Sequence, residues 1–394
     1  MKAQKNNFEY SFYGFVRGDL YYNSRSNMEV VDGLFYLYPK DKLMDADGKD
    51  LNATSNGSFY TFTTRLGMDV KGPDVGTART TAKIESDFGG TTNLNFVLRL
   101  RQAWVKLDWQ QGSSLLLGQT WHPLFGEVMP NVLNLSTGCP FQPFNRSPLI
   151  NYQYRQGGLK LTASAIYQLV YVSSGPVGRS EEYLKNGVLP ELYAGFDYRK
   201  ENFMMGAGVD MISIKPRLRS TAGNQTYLVN ERITTFSYDL HLEYAYRKFQ
   251  FAGKTLLDSN QGHNTMIGGY GISKIDARTG KQDYTAFRNS TSWINFTYGA
   301  KYQGGLFAGY SKNLGTTDNL VYTDAAHLYG MGMDMDQFTQ LSLFLRYNLP
   351  HWNIGLEYSL STAWYGDISP SNGKVGNTHD VSNHRIEGVF MYTF

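Results

Sequence analysis

Phe8-Glu-Tyr-Ser-Phe-Tyr-Gly-Phe-Val-Arg-Gly-Asp-Leu-Tyr-Tyr22 alternates along its whole length. Its even positions are Phe8, Tyr10, Phe12, Gly14, Val16, Gly18, Leu20 and Tyr22, and its odd ones include Glu9, Ser11, Arg17 and Asp19. Successive side chains of a strand point to opposite faces, so this period sorts one apolar face from one polar face. Soluble strands are usually about 5–6 residues long, whereas a tilted strand that crosses a membrane needs about 9–11. Fifteen alternating residues therefore read as a membrane-spanning strand, apolar side to lipid and polar side to a wet lumen.

The same period recurs to the end of the chain. A second strand reads with Tyr60, Phe62, Leu66, Met68 and Val70 outward, turning at Gly72-Pro73-Asp74 into a third that starts near Ala78. A fourth, from about Asn95 to Trp109, changes phase between Leu100 and Ala103, which calls for a bulge or a half buried on both faces. Further strands turn at Gln110-Gln111-Gly112, Gly157-Gly158, Lys200-Glu201-Asn202, Arg247-Lys248, Gln303-Gly304-Gly305 and Asn348-Leu349-Pro350. The last ends at Phe394. The sum is sixteen strands with short and long connections alternating, a single all-β, antiparallel transmembrane barrel over residues 1–394. An even count puts both termini on the short-turn side. Outward residues beside the short turns are aromatic, among them Tyr10, Tyr198, Tyr244, Tyr298, Trp352 and Tyr392, as at a membrane interface.

Composition agrees. The 394 residues include 29 Tyr, 23 Phe and 41 Gly, yet mean hydropathy is −0.39. No apolar run approaches the ~18 residues of a transmembrane helix. A net charge of +3 is too small to point to nucleic acid. The single cysteine, Cys139, excludes an internal disulfide. Met1-Lys2-Ala3-Gln4 leads straight into the first strand, which reads as the mature form of an exported chain.

One stretch breaks the pattern. Residues 122–147, from His122 to Ser147, carry Pro123, Pro130, Pro140 and Pro143, so they cannot form a regular ladder strand. They also carry Leu124, Phe125, Val128, Met129, Phe141 and Phe144, too many apolar groups for a solvated linker. Long ordered loops are usually functional. This one is expected to fold back into the lumen and constrict the pore.

The chain resembles the Gram-negative trimeric porins. The resemblance rests on Tyr13-Gly14-Phe15-Val16-Arg17, on Arg99-Leu100-Arg101-Gln102-Ala103-Trp104, on the long third loop and on the terminal Phe394. Leu117-Gly118-Gln119-Thr120-Trp121 is similar to the DcaP-like trimeric outer-membrane transporters. The resemblance implies a third loop forming the pore eyelet opposite basic wall residues, and a terminal Phe read by the assembly machinery. The second long-side loop, about Gly89 to Asn93, is shorter than in general porins, which puts a latch onto a neighbouring subunit in doubt.

The candidate pore constriction comprises Arg17, Arg65, Lys83, Glu85, Arg99 and Arg101 on the inward faces of the first four strands, with Glu127 on the loop. Five cations against one wall anion make a basic sector, which favours small anionic solutes. The competing reading is that these cations serve only to pair Asp19, Asp69 and Asp87. Small residues on the outward face of the third strand, Ala78, Thr80, Ala82 and Ser86, together with Thr64, Gly14 and Gly18, suggest a homo-oligomer contact through the first three strands rather than a lipid face, and the porin resemblance implies that the oligomer is a homotrimer. Asp45-Ala46-Asp47-Gly48-Lys49-Asp50 superficially resembles a calcium loop but lacks its closing Glu. The seven histidines show no ligand spacing, and nothing pairs a Ser with a base, so no metal, cofactor or enzymatic activity is expected. The reading is an outer-membrane porin for passive diffusion of small hydrophilic solutes, with an anion preference. A substrate-specific channel for anionic solutes and a surface-binding adhesion barrel are the alternatives.

Overall fold

The computed structural model describes residues 8–30, 35–89 and 98–394. Phe96 and most of the short loop Gly89 to Asn93 lie outside the described residues, as does the start of the chain at Met1. The barrel strands, in chain order, are β1 (Glu9–Asn23), β2 in two segments (Asn56–Tyr60 and Arg65–Val75), β3 (Ala78–Asp87), β4 (Arg99–Trp109), β5 (Ser113–Trp121), β6 (Arg146–Gln156), β7 (Leu159–Ile166) and β8 (Glu191–Lys200). The second half has β9 (Phe203–Ile214), β10 (Ile233–Tyr246), β11 (Phe249–Ser259), β12 (Arg288–Gly299), β13 (Tyr302–Gly315), β14 (Met335–Leu349), β15 (Trp352–Ile368) and β16 (Val375–Thr393). Each pairs antiparallel with its neighbour in sequence. The sheet closes where β1 pairs β16 from Phe15↔Thr393 to Asn23↔Arg385. Gly14 and Phe394 seal the seam by exchanging backbone hydrogen bonds at 3.1 Å. Closure removes the unpaired edges that an open sheet would present to lipid.

The two faces are sorted as the alternation requires. β10 switches between buried and exposed at every residue from Ile233 to Leu242, with Phe236, Tyr238, Leu240 and Leu242 outside and Thr235, Ser237, Asp239 and His241 inside. Near the short turns, outer aromatics pair across strands, as in Tyr302–Tyr347 at 4.9 Å and Trp352–Tyr392 at 5.0 Å. Among the described residues no helix is long and apolar enough to cross a membrane.

Three local expectations are corrected. Residues Thr61–Thr64 interrupt β2 and reverse its phase, so Phe59 faces out while Tyr60 and Phe62 pack on an inner apolar cluster. The β2–β3 turn falls at Gly76-Thr77, where Gly76 supplies φ +60°; Gly72-Pro73-Asp74 forms a bulge inside the strand, a position that tolerates proline. Gln303-Gly304-Gly305 lie within β13, whose turn is made by Ala300-Lys301. The phase change in β4 is a bulge: Glu85 pairs Gln102 and Ser86 pairs Leu100, leaving Arg101 as the extra residue.

The barrel is filled from one end. Its main apolar cluster joins the first long connection (Phe35, Leu37, Tyr38), the third (Phe125, Val128, Phe141, Phe144) and inward wall residues Trp293, Phe307 and Phe338. Tyr36 is also buried, and its hydroxyl accepts from Gln340 at 2.9 Å.

Candidate functional site

The loop that joins β5 to β6 starts where the His122 amide donates to the Asn145 carbonyl at 2.9 Å. From that base its contacts run to inward-facing residues on several strands of the wall. Lys254 on β11 donates to the carbonyls of Leu124 and Phe125 at 2.8 and 2.9 Å. The Asn131 amide donates to Asn295 on β12 at 2.9 Å. Leu133 donates its N–H to Glu357 on β15 at 2.6 Å, while its carbonyl accepts from Arg17 on β1 at 2.6 Å. Arg346 on β14 reaches the Val132 carbonyl at 3.3 Å. Trp293 donates its indole N–H to Gln142 at 3.0 Å. A loop that forms no ladder must find partners for its backbone polar groups, and the wall supplies them.

The apolar side chains of the loop find matching space. Phe141 stacks on Phe338 with ring centres 5.0 Å apart. It lies over Gly309, where an added Cβ would sit 2.5 Å from its ring. Leu133 covers Gly355 in the same way, 2.5 Å from where a Cβ would be. Cys139 is buried and donates its thiol to the Gln142 carbonyl at 3.1 Å. Burial pushes that thiol well above its ordinary range.

The basic sector is fully engaged. Arg17 binds Asp19 at 2.6 Å and Lys83 binds Asp69 at 2.9 Å. Arg99 binds Asp87 at 2.9 Å. Arg101 spans Glu85 at 2.9 Å and Asp87 at 2.8 Å, and Arg65 approaches Glu85 at 3.8 Å. Asp19, Glu85 and Asp87 are almost wholly buried, so their partners neutralise them where water cannot. The structure thus joins Arg65, Lys83, Glu85, Arg99 and Arg101 into one network through Asp87 and Tyr13, while Arg17 pairs separately with Asp19, and every one of these cations has a carboxylate partner.

Glu127 sits in a second basic group that sequence reasoning missed. Its carboxylate meets Lys160 at 2.6 Å, Arg155 at 3.5 Å and Arg199 at 3.8 Å. These come from β7, β6 and β8, and only barrel closure onto the loop brings them to Glu127. The Arg155 and Arg199 side chains stay 54% and 51% exposed. Burial raises the Glu127 carboxyl, but the hydrogen bond and charge of Lys160, with the charge of Arg155, outweigh it and hold it below the usual carboxylate range. Two polar cavities adjoin here. One of about 220 Å³ is lined by Trp121, Glu127, Lys160, Asp197 and His241 among others. The other, about 200 Å³, shares Glu127, Lys160 and Asp197 and adds Arg155 and Arg199.

Asp45 accepts the amides of Asp47 and Lys49, and Asp50 accepts those of Leu43 and Asn52 and pairs with Arg25 at 2.7 Å. The calcium-like run therefore closes on itself as a turn. Gly14 and Gly18 are covered within the chain: Cβ atoms there would meet the rings of Phe394 at 2.8 Å and Phe390 at 2.4 Å. Their smallness needs no second subunit. Two histidines, His122 and His263, converge on Glu191 although nothing in their spacing signals it.

A closed sixteen-stranded antiparallel barrel with an apolar exterior, alternating short and long connections and a third loop held against its inner wall has the fold of the outer-membrane porins. The outer membrane channel DcaP of Acinetobacter baumannii is similar over 98% of this chain and 97% of its own, with a TM-score of 0.68 and 20% identity. The trimer form of OmpT, an outer membrane protein of Vibrio cholerae, is similar over 98% of this chain and 99% of its own, at TM-score 0.57 and 11% identity. The anion-selective porin from Comamonas acidovorans covers 98% of this chain with all of its own length, at TM-score 0.55 and 11% identity. No family model and no curated protein matches the chain.

Proposed function

We propose that the protein is a porin of the Gram-negative outer membrane, which lets small hydrophilic solutes and ions diffuse passively through one barrel domain per chain. The observation that carries this reading is the loop from His122 to Asn145, bound to the inward faces of β1, β7, β8, β11, β12, β14 and β15. A loop so held narrows a lumen to a defined eyelet, and charges at a narrowing set ion preference. On this reading solutes pass beside Glu127, where the two polar cavities lie.

A mild anion preference rests mainly on Arg155 and Arg199. They are half exposed beside Glu127, whereas the cations of β1–β4 are matched by carboxylates. The similar structure from Comamonas acidovorans is that of an anion-selective porin. A homotrimer joined through the outer faces of β2 and β3 follows the trimer form among the similar structures and the small outward residues Thr80, Ala82 and Ser86.

A substrate-specific channel is the second reading. It is favoured by the aromatic packing of Phe35 on Phe144 at 4.8 Å, which joins two loops inside the barrel and narrows it further. Planar-bilayer recording tests both. Large ohmic steps that reverse toward the anion equilibrium potential support the diffusion porin, and solute-dependent block of small steps supports the specific channel. Absence of conductance from folded barrels would overturn both.

A further inference from the structure

Glu191, the first residue of β8, is wholly buried, and one of its carboxylate oxygens receives two imidazoles. His122 Nε2, at the base of the β5–β6 loop, lies 3.1 Å from Oε1, and His263 Nε2, in the β11–β12 connection, lies 2.8 Å from the same atom. Both rings are as buried as the carboxylate. The second oxygen of Glu191 has no hydrogen-bond partner. Asp210 on β9 is equally buried, and its Oδ1 is also without a partner, 4.0 Å from His122 Nε2. Among the described residues no Lys or Arg nitrogen lies within ion-pair distance of either carboxylate.

Two carboxylates enclosed together without a permanent cation are costly, because neither water nor a fixed charge compensates them. Two imidazoles and two carboxylates around a divalent ion form a neutral, closed, four-ligand set. We propose that His122, Glu191, His263 and Asp210 bind a divalent transition-metal ion of the zinc class, which staples the base of the pore loop to β8, β9 and the β11–β12 connection. Mixed nitrogen and oxygen donors suit zinc or cobalt better than calcium or magnesium, which take oxygen ligands. Loading replaces the two Nε2···Oε1 hydrogen bonds by metal bonds, with the Nε2 protons released to solvent, and takes the Asn264 amide off His263 Nε2. One further contact changes at the loop. The Leu124 amide now donates to His122 Nδ1 at 3.2 Å. A metal on Nε2 places the ring proton on Nδ1, so that hydrogen bond is given up and the first turn of the loop shifts.

The test uses the full-length barrel extracted in detergent, stripped with a chelator and titrated with Co²⁺. The expected result is one equivalent per chain with the strong visible absorption of a four-coordinate centre, displaced by Zn²⁺. Glu191→Gln and His263→Ala, each verified as folded barrels by circular dichroism, should weaken binding roughly 100-fold or more. His327→Ala and His379→Ala remove exposed histidines paired with Asp324 and Asp41 and should leave binding unchanged. Folded wild-type protein that shows no such absorption overturns the proposal, and that measurement stands even if a variant fails to fold. Binding retained in Glu191→Gln, or lost in His379→Ala, overturns it as well.

Discussion

Glu357, on the inward face of β15, accepts the backbone N–H of Leu133 at 2.6 Å, and Ser359 on the same face donates to it at 3.3 Å. The carboxylate is buried, so the loop residue takes the place of water. Replacing Glu357 with Leu leaves the Leu133 amide and the Asn134 side chain without an acceptor. Each orphaned buried donor costs about 1–3 kcal/mol. The expected outcome is a loop that detaches at this end, seen as larger and noisier single-channel conductance. Unchanged conductance would show that this anchor does not set the pore.

Gly309 and Gly355 leave room for Phe141 and Leu133. Gly309→Leu should overpack the site by about 1–3 kcal/mol and push the Phe141 segment inward. Thermal unfolding of the variant should begin at a lower temperature, with altered conductance in the fraction that remains folded. Gly304→Leu serves as the control, since the nearest atom to a Cβ there is 3.5 Å away.

Charge neutralisation separates the two basic groups. Arg155→Gln with Arg199→Gln is expected to move the reversal potential toward the cation equilibrium. Arg99→Gln with Arg101→Gln strips Asp87 of its two ion pairs while it stays buried. Breaking such pairs costs roughly 3–5 kcal/mol. That variant should show mainly lower barrel stability, and a selectivity shift larger than that of the Arg155 and Arg199 pair would contradict the assignment.

Glu127 supplies a pH dependence with a definite sign. Its carboxyl is held below the ordinary range, so the folded state binds its proton less readily than the unfolded chain. The contribution of its ion pairs is therefore complete above the unfolded carboxylate pKa of about 4.3 and is lost as pH falls through the lower folded value. Conductance should be flat from pH 7 to 5 and change only in more acid solution. Glu127→Gln should abolish that acid step.

Cys139 reports on which way the loop faces. Its buried, hydrogen-bonded thiol should resist a pore-sized maleimide in the folded barrel and react after denaturation in urea. Rapid labelling of folded protein would place the thiol in the pore instead.

The period-two alternation of Phe8 to Tyr22, repeated along the chain, determined the barrel, its strand number and its outer face. It could do so because a strand's side chains answer only to the face they occupy, a property readable one residue at a time. The prolines and apolar residues from His122 to Ser147 likewise marked the loop, since local chemistry forbids both ladder and free linker. What sequence could not supply was partnership. Arg99 and Arg101 read as a basic wall, and only closure beside β3 showed Glu85 and Asp87 already holding them. Arg155, Lys160 and Arg199 looked unremarkable until Glu127 was laid among them. His122 and His263, far apart in sequence, meet on Glu191 for the same reason. Side-chain electrostatics depend on distances across the lumen, and those exist only once the barrel has closed around the loop.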